Sequence, residues 1–407
     1  MTALRPTDEA GVLAAVADAV ATGTSLEILG AGSKRGLGRP VAAGRTLDLT
    51  GLSGVTFYEP EELVIAVRPG TPLAEVGHLL ASRGQALAFE PPDLGPLYGA
   101  PADVGTIGGM IAANLSGPRR IKAGAARDHM LGIRAVSGRG EIFKSGGRVV
   151  KNVTGYDMSK GLTGSFGTLA VFTELTLKVL PAPQTATTLM WTGLADDAAV
   201  AVLSRALGSP ADVSGAAHLP ASVAADFGFS GPATLLRLEG IAPSVADRAA
   251  RLAALLADAG PAEAMGGEPG LDLWRAIRDV APFAATPGTV VWKISVAPTA
   301  GPKVVARLPA ALPSTAGSRH FYDWGGGLVW LALDPTSADD AGAAAIRAAI
   351  AAEGGGHATL VRAPAELRAR IPVFEPQPGP LAALTARLRA QFDPLGILNP
   401  GRMVAKD

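Results

Sequence analysis

The sequence predicts an α+β fold of two domains, the second built on an antiparallel sheet. Three observations carry that expectation. Glycine-rich loops interrupt short strands in the first part of the chain, and Pro181-Ala-Pro183 marks a change of texture. Residues 288–360 then run strand, helix, strand, strand, helix, strand. In the first domain, Thr7, Asp8 and Glu9 open a helix with Val12, Leu13, Val16 and Val20 on one face and Gly23 as its stop. Ser25–Leu29 is an apolar strand that runs into Gly30–Gly38. Strands at Arg45–Leu49, Val55–Tyr58 and Leu63–Arg68 follow, then a helix over Thr71–Arg83. A short helix over Thr106–Leu115, a hairpin of Met130–Val136 with Glu141–Lys144, and a long strand over Thr168–Val179 close the region.

In the second domain the expected order is strand Val290–Val296, helix Lys303–Leu312, strand Arg319–Trp324, strand Leu328–Leu333, helix Ser337–Ala352 and strand His357–Val361. This is a ferredoxin-like half. Thr187–Pro261 repeats the order more weakly, so two halves are expected to form one antiparallel sheet with helices on a face. Leu381–Phe392 reads as an amphipathic helix before a Pro/Gly-rich tail, Asp393–Arg402.

Composition removes several classes of function. Lys+Arg and Asp+Glu both number 36 in the 407 residues, so there is no excess basic surface for nucleic acid. Cysteine is absent, which excludes disulfides, a thiol nucleophile, Cys-ligated zinc and an iron–sulfur cluster carried on this chain. Only five His are present, which argues against a His-rich metal centre. The mean hydropathy of +0.28 comes mostly from alanine. No uncharged apolar stretch approaches the roughly 18 residues of a spanning helix, so no transmembrane segment is expected. Met1–Glu9 lacks the basic start and apolar run of a secretory signal, which makes the cytoplasm the expected location.

Two glycine loops carry the chemistry. The first, Ile28-Leu-Gly-Ala-Gly-Ser-Lys-Arg-Gly36, follows a strand, and its glycines let an anion approach the amide N–H groups. A dinucleotide Rossmann turn fails on context, because Gly36 comes one place late and Gly38, Pro40 and Gly44 prevent a following helix. A plain tight turn explains this loop as well as a phosphate site does. The second loop, Asp103-Val-Gly-Thr-Ile-Gly-Gly-Met-Ile-Ala-Ala-Asn-Leu-Ser-Gly117, clusters glycine where a helix begins, and free N–H groups there favour negative charge. Close helix–strand packing is the alternative. Together, two such loops in one domain suit the two phosphates of a pyrophosphate.

The order Gly30-Ala-Gly-Ser33, Thr106-Ile-Gly-Gly109 with Asn114, and Gly164-Ser-Phe-Gly-Thr-Leu-Ala-Val-Phe-Thr-Glu174 resembles the vanillyl-alcohol-oxidase, or PCMH-type, FAD-binding domain. The tail Phe392-Asp-Pro-Leu-Gly-Ile-Leu-Asn-Pro-Gly-Arg402 is similar to the end of such proteins. Ser116-Gly-Pro-Arg-Arg120, Arg127-Asp128, Val150-Lys-Asn-Val-Thr-Gly-Tyr-Asp157 and Trp324-Gly-Gly resemble the FAD-binding E subunits of bacterial glycolate oxidase. The resemblance implies an FAD-binding domain of two subdomains over residues 1–181. It also implies an antiparallel-sheet, ferredoxin-like α+β cap over 182–378, and a helix and tail over 379–407 that return to the FAD domain. It implies that Gly30, Ala31, Gly32, Ser33 and Lys34 cradle the pyrophosphate, and that Gly105, Thr106, Gly108, Gly109 and Asn114 complete the grip. Gly167, Leu169 and Val171 would run beside the cofactor, with Asn399 returning to the isoalloxazine edge. Some relatives anchor flavin covalently through His or Cys; Gly32 stands near that place and Cys is absent, so the FAD is expected to be non-covalent.

The implied function is that of an FAD-binding subunit of a multi-subunit glycolate (2-hydroxy acid) oxidase. It would relay electrons from oxidation of glycolate to glyoxylate toward an iron–sulfur subunit, beside a second FAD-containing catalytic subunit. Those partners would also be the route to a peripheral place at the inner membrane face. A self-sufficient FAD-dependent dehydrogenase for a hydroxy acid or sugar acid is the first alternative, and a non-catalytic assembly subunit the second. The His-rich metal motif of substrate-oxidising members has no counterpart here beyond Gly354-Gly-Gly-His357, so no metal site is assigned. In Arg319–Gly327, His320, Tyr322 or Trp324 is placed to line the flavin and Arg319 or Lys293 to hold a carboxylate, against the alternative of an aromatic β-hairpin packed on Trp330. Lys151, Asn152, Tyr156 and Asp157 read as supporting or interface residues or as a solvated loop. Arg119, Arg120, Lys122 and Arg127 form a basic run suited to an acidic partner, a phosphate or plain solvent.

Overall fold

The computed structural model describes residues 3–149, 155–312, 318–334 and 339–405. Lys151 and Asn152 lie outside the described residues. The chain divides into two compact units: residues 1–116, 124–182 and 376–407 form the first, and 117–123 with 183–375 the second.

In the first unit, helix α1 (Glu9–Thr22) starts where Asp8 accepts a hydrogen bond from the Gly11 amide and ends at Gly23 in the left-handed region. Its Val12, Val16 and Ala19 pack on Leu26, Leu47, Val136, Val171, Ile397 and Leu398. Strands β1 (Leu26–Leu29) and β2 (Arg45–Asp48) pair in parallel, and Ala3–Leu4 adds to the free side of β2. A second sheet is antiparallel throughout. It comprises β3 (Val55–Glu59), β4 (Val64–Val67), β5 (Met130–Ser137), β6 (Ile142–Gly146) and β7 (Ala170–Lys178), in the order β3-β4-β7-β5-β6. Between β4 and β5 lie α2 (Leu73–Ala81) and α3 (Ile107–Ala112), the latter shorter than the predicted span because Ala113 and Asn114 turn out of the helix. Helix α9, the last of the chain (Gly379–Phe392), buries no residue, and Leu381, Leu384 and Leu388 stay exposed along it.

The second unit is two strand–helix–strand–strand–helix–strand halves joined edge to edge. The first half is β8 (Thr185–Thr192), α4 (Asp196–Leu207), β9 (Gly215–Leu219), β10 (Ala233–Gly240), α5 (Ala242–Leu255) and β11 (Glu263–Gly266), followed by α6 (Gly267–Arg278). The second half is β12 (Val290–Val296), α7 (Gly301–Ala311), β13 (Arg319–Asp323), β14 (Leu328–Leu333), α8 (Ala343–Ala352) and β15 (Gly356–Arg362). Their eight strands form one antiparallel sheet, β11-β8-β10-β9-β13-β14-β12-β15, whose order reads the same outward from the β9–β13 seam. Each half has its own apolar core, around Trp191, Leu203 and Leu236 in the first and Trp292, Ile346 and Leu360 in the second. The seam itself pairs at one register position, His218 opposite Tyr322.

Residues 117–123 belong to the second unit, although the sequence places them in the first domain. The reason is local. Arg119 donates two hydrogen bonds to the buried Glu239, at 3.0 and 2.6 Å, and Ile121 packs into the core of the first half. Lys122 pairs with Asp212, and the Trp324 indole N–H donates to the Gly117 carbonyl at 3.1 Å.

Candidate functional site

In the first unit the two glycine loops meet. A Cβ on Gly30 would overlap the Thr106 hydroxyl, so the end of β1 and the start of α3 approach as closely as backbone allows. Thr106 caps α3, its Oγ1 accepting from the Gly109 amide at 3.3 Å. The first loop is folded back on its own strand by Arg35, which makes a two-pronged pair with the buried Glu27, at 3.1 and 2.5 Å. Arg402 of the tail donates to the Arg35 carbonyl at 3.1 Å and the Arg39 carbonyl at 3.3 Å.

The amides of Ala31, Gly32, Ser33 and Lys34 meet no backbone or side-chain acceptor among the described residues. Lys34 reaches across the gap. A Cβ on Gly105 would lie 3.5 Å from its ammonium and one on Gly109 3.8 Å from it. Burial pushes the Lys34 ammonium down from its usual value, with the charge of Asp93 opposing. The result is a cleft with a row of free main-chain donors and a desolvated cation, which is what a diphosphate requires.

Asn399 organises the far wall. Its side-chain Oδ1 accepts from the Ile28 amide and its Nδ2 donates to the Phe166 carbonyl, both at 2.8 Å, while its own amide bonds Leu26 at 2.9 Å. Gly167 beside it has φ +67, and a Cβ there would stand 2.8 Å from Asn399 Nδ2, so that position accepts only glycine without displacement. Asn399 and Phe166 both sit at positive φ, 43° and 53°, conformations that the surrounding bonds hold.

Of the predicted residues, Gly30, Ala31, Gly32, Ser33, Lys34, Thr106, Gly108, Gly109, Gly167 and Asn399 line this cleft. Gly105 adjoins it under the Lys34 ammonium. Asn114, Leu169 and Val171 are not in its lining: Asn114 accepts from the Arg127 amide at 3.1 Å, Leu169 is buried, and Val171 belongs to the core under α1. Lining residues outside the predicted set include Phe166, Ala112, Ala113, Pro69 and Arg402. Phe166 stands between the glycines of the Gly164–Glu174 segment and Arg402 ends the tail motif, so two of these carried a signal in the sequence.

In the second unit, Arg319–Asp323 and Leu328–Leu333 form the hairpin, with Phe321 opposite Trp330. His320, Tyr322 and His218 all turn to one carboxylate. Asp196 at the start of α4 lies 2.9 Å from His320 Nε2 and 3.3 Å from His218 Nε2, and accepts from the Tyr322 hydroxyl at 2.7 Å. Burial pushes Asp196 upward, but these three partners outweigh it and hold the carboxyl far below the usual range. Arg319 is paired with Asp226. Tyr156 is exposed, and Asp157 caps the short helix Met158–Leu162. Among the described residues no group of three or more His, Asp or Glu is arranged to hold a metal ion, and no helix is long and apolar enough to cross a membrane.

The fold and cleft are those of an FAD-binding oxidoreductase class, and residues 2–146 match the family model described as a FAD binding domain. The p-cresol methylhydroxylase structure superposes with a TM-score of 0.76 at 13% identity, covering 100% of this chain and 89% of that one. Alkyldihydroxyacetonephosphate synthase gives 0.69 at 16% identity, over 98% and 75%. At such identities these share the fold alone. Glycolate oxidase subunit GlcE of Escherichia coli is 37% identical over 397 residues, 97% of each chain. Glycolate oxidase subunit GlcD of Bacillus subtilis is 31% identical over 55% of this chain and 44% of its own length. D-lactate dehydrogenase of Anaerostipes hadrus is 33% identical over 37% and 30%. The chain belongs to the glycolate oxidase subunit family of FAD-dependent oxidoreductases.

Proposed function

We propose that this chain is the E-type, FAD-carrying subunit of a multi-subunit glycolate oxidase, relaying electrons toward an iron–sulfur subunit. The observation that carries the reading is the amide-lined cleft crossed by the Lys34 ammonium. Its residues fit the cofactor on two counts. The donors of Ala31–Lys34 are free among the described residues, and the buried Ser165 hydroxyl, next to Phe166, also lacks a hydrogen-bond partner. Charge-assisted hydrogen bonds from such donors contribute on the order of 1.5–3 kcal/mol each.

Ala31, Gly32, Ser33 and Lys34 hold the diphosphate through main-chain donors, and Lys34 adds its charge. Thr106 fixes the start of α3 against Gly30, and Asn399 fixes Ile28 and Phe166, so the walls are set before the cofactor arrives. Binding is non-covalent, with Gly32 at the place where a His tether stands in some members of the class. FAD supplies acceptance of a hydride or an electron pair and release of electrons singly. With no cysteine in the sequence, single-electron carriers of the iron–sulfur type must come from another chain. The relationship to two glycolate oxidase subunits supports that assembly. The held cofactor would sit in the complex by way of those partners, at the inner membrane face or free in the cytoplasm.

The test is the complex purified with its partner subunits, flavin counted per subunit. Gly109→Val is the informative variant, because its side chain would enter the cleft 3.3 Å from Thr106 Oγ1, whereas a side chain at Gly108 would strike the Pro69 backbone. A folded Gly109→Val subunit without flavin, in a complex that no longer oxidises glycolate, is the expected result. Full activity without flavin on this subunit would favour the assembly role and end the relay reading.

A further inference from the structure

Helices α1 and α2 of the first unit each bury an apolar face, but α9 buries none of its 14 residues. A helix of this length is marginal alone in water and depends on packing of an apolar face. The face exists and is uncovered. Leu381, Leu384 and Leu388 repeat at helical spacing and are 47%, 54% and 40% exposed, a seam of two turns. The first unit grips the helix at its C-terminal end, where Phe392 meets Phe143 at 5.6 Å between ring centres and Arg139 donates to the Gln391 carbonyl at 2.6 Å.

Charge around the seam has one sign. Residues 379–392 contain no Asp or Glu. At about 3.6 residues per turn, Arg387 and Arg389 fall on opposite flanks of the leucines, and Arg139 is tied to the same end through Gln391. Among the described residues none of these three guanidinium groups forms an ion pair, and the Arg389 Nε is buried without a hydrogen-bond partner. An open pocket of about 220 Å³ adjoins Arg389 at the end of the helix, lined also by Asp393, Leu398, Asn399, Arg402 and Met403. Asp393 feels the Arg389 charge, but its own oxygens accept from the Ile397 and Leu398 amides at 3.1 and 2.8 Å. Room for a second carboxylate is therefore left at Arg389. Asn399 and Arg402 line both this pocket and the cofactor cleft, so an occupant here sits against the cleft wall.

We infer that α9 is the docking surface for an acidic amphipathic helix of a partner subunit. Its apolar face covers Leu381, Leu384 and Leu388, and one of its carboxylates enters the pocket at Arg389. The inference rests on the reading of this chain as one subunit of a multi-subunit oxidase. A helix is the matching shape because a straight seam of two turns is the length over which two helices interlock side chains. Acidic flanks follow from the unpaired arginines, and a second α9 would bring like charges together.

The test uses the complex assembled from the full FAD-loaded chain and its partner subunits, with association measured by interferometry. Leu384→Glu/Leu388→Glu should weaken it by about tenfold or more. Arg387→Glu/Arg389→Glu should weaken it about fivefold at low salt, more than the alanine pair does. Leu255→Glu, at a leucine of α5 that is 48% exposed in the second unit, leaves association unchanged. Flavin absorbance and thermal melting match the wild type in every variant, which separates lost docking from lost folding. A photo-reactive benzoylphenylalanine placed at position 381 then identifies the occupant. The expected cross-link is to a partner-subunit segment with apolar residues at helical spacing and Asp or Glu on both flanks. Unchanged association in Leu384→Glu/Leu388→Glu, a cross-link to another copy of this chain, or a cross-linked segment without acidic residues would overturn the inference while the subunit reading stands. A wild-type chain that associates with neither subunit would end the subunit reading itself, and the docking inference with it.

Discussion

Lys34 in the first unit and Lys293 in the second are both desolvated cations, enclosed by opposite kinds of surface. Around Lys34 stand main-chain donors and glycines, so positive potential is spread along a row and the walls come close enough for a backbone-sized ligand. Around Lys293 stand two indoles and a second cation, so charge is concentrated at a point with apolar walls. The difference teaches what each can hold. A distributed array matches the several oxygens of a diphosphate, whereas an ammonium set between aromatic rings is already engaged by their faces.

Four outcomes would break or sharpen that contrast. The largest belongs to the cleft: Gly30→Val drives a side chain into Thr106 and should abolish flavin uptake, read as loss of the visible flavin bands in a chain that retains its far-ultraviolet dichroism. Full uptake would mean that the two loops do not share the diphosphate. Next comes the seam of the second unit, where Asp196→Asn removes the charge and one of the two acceptor oxygens that His218, His320 and Tyr322 share. A loss of about 2–3 kcal/mol in denaturant unfolding is expected, with flavin content unchanged. Because the folded Asp196 carboxyl titrates below its unfolded value of 3.8, that contribution is present above this pH and is lost as the pH falls below it.

Third, Lys34→Met should weaken FAD binding about tenfold, or about 1.4 kcal/mol, since the free amides remain. An unchanged affinity by equilibrium dialysis would show that the amides alone carry the site. The smallest effect is a pH slope. The folded Lys293 titrates near 8 against 10.5 when unfolded, so between those values the unfolded chain binds more protons and stability rises with pH. Denaturant midpoints of the wild type should climb from pH 7.5 to 9, and those of Lys293→Met should climb less.

Much of the architecture was legible along the chain. Asp8 and Gly23 bound α1, and the strands Val290–Val296 and Leu328–Leu333 have the predicted limits, because caps and β-branched runs act through neighbours in sequence. The glycine loops were legible for the same reason. His320 and Tyr322, read as flavin-lining candidates, are engaged by Asp196, whose part in the seam had no sequence signal. The basic run 119–122 showed its charge but not its partners: Arg119 and Lys122 pair with Glu239 and Asp212, and the Arg120 guanidinium lies over the Trp324 indole.

By itself the sequence determined the periodic elements, the donor-rich chemistry of the two loops, the repeated half-sheet order and the family, since each is written in residues that stand close together. Tertiary structure alone decided that Asn399 ties a strand 371 residues away to the Phe166 turn, that Lys34 lies over Gly105 and Gly109, and that residues 117–123 carry Arg120 to Trp324. Those juxtapositions depend on chain closure over long separations, where packing and buried charge choose the partner and no local pattern specifies it.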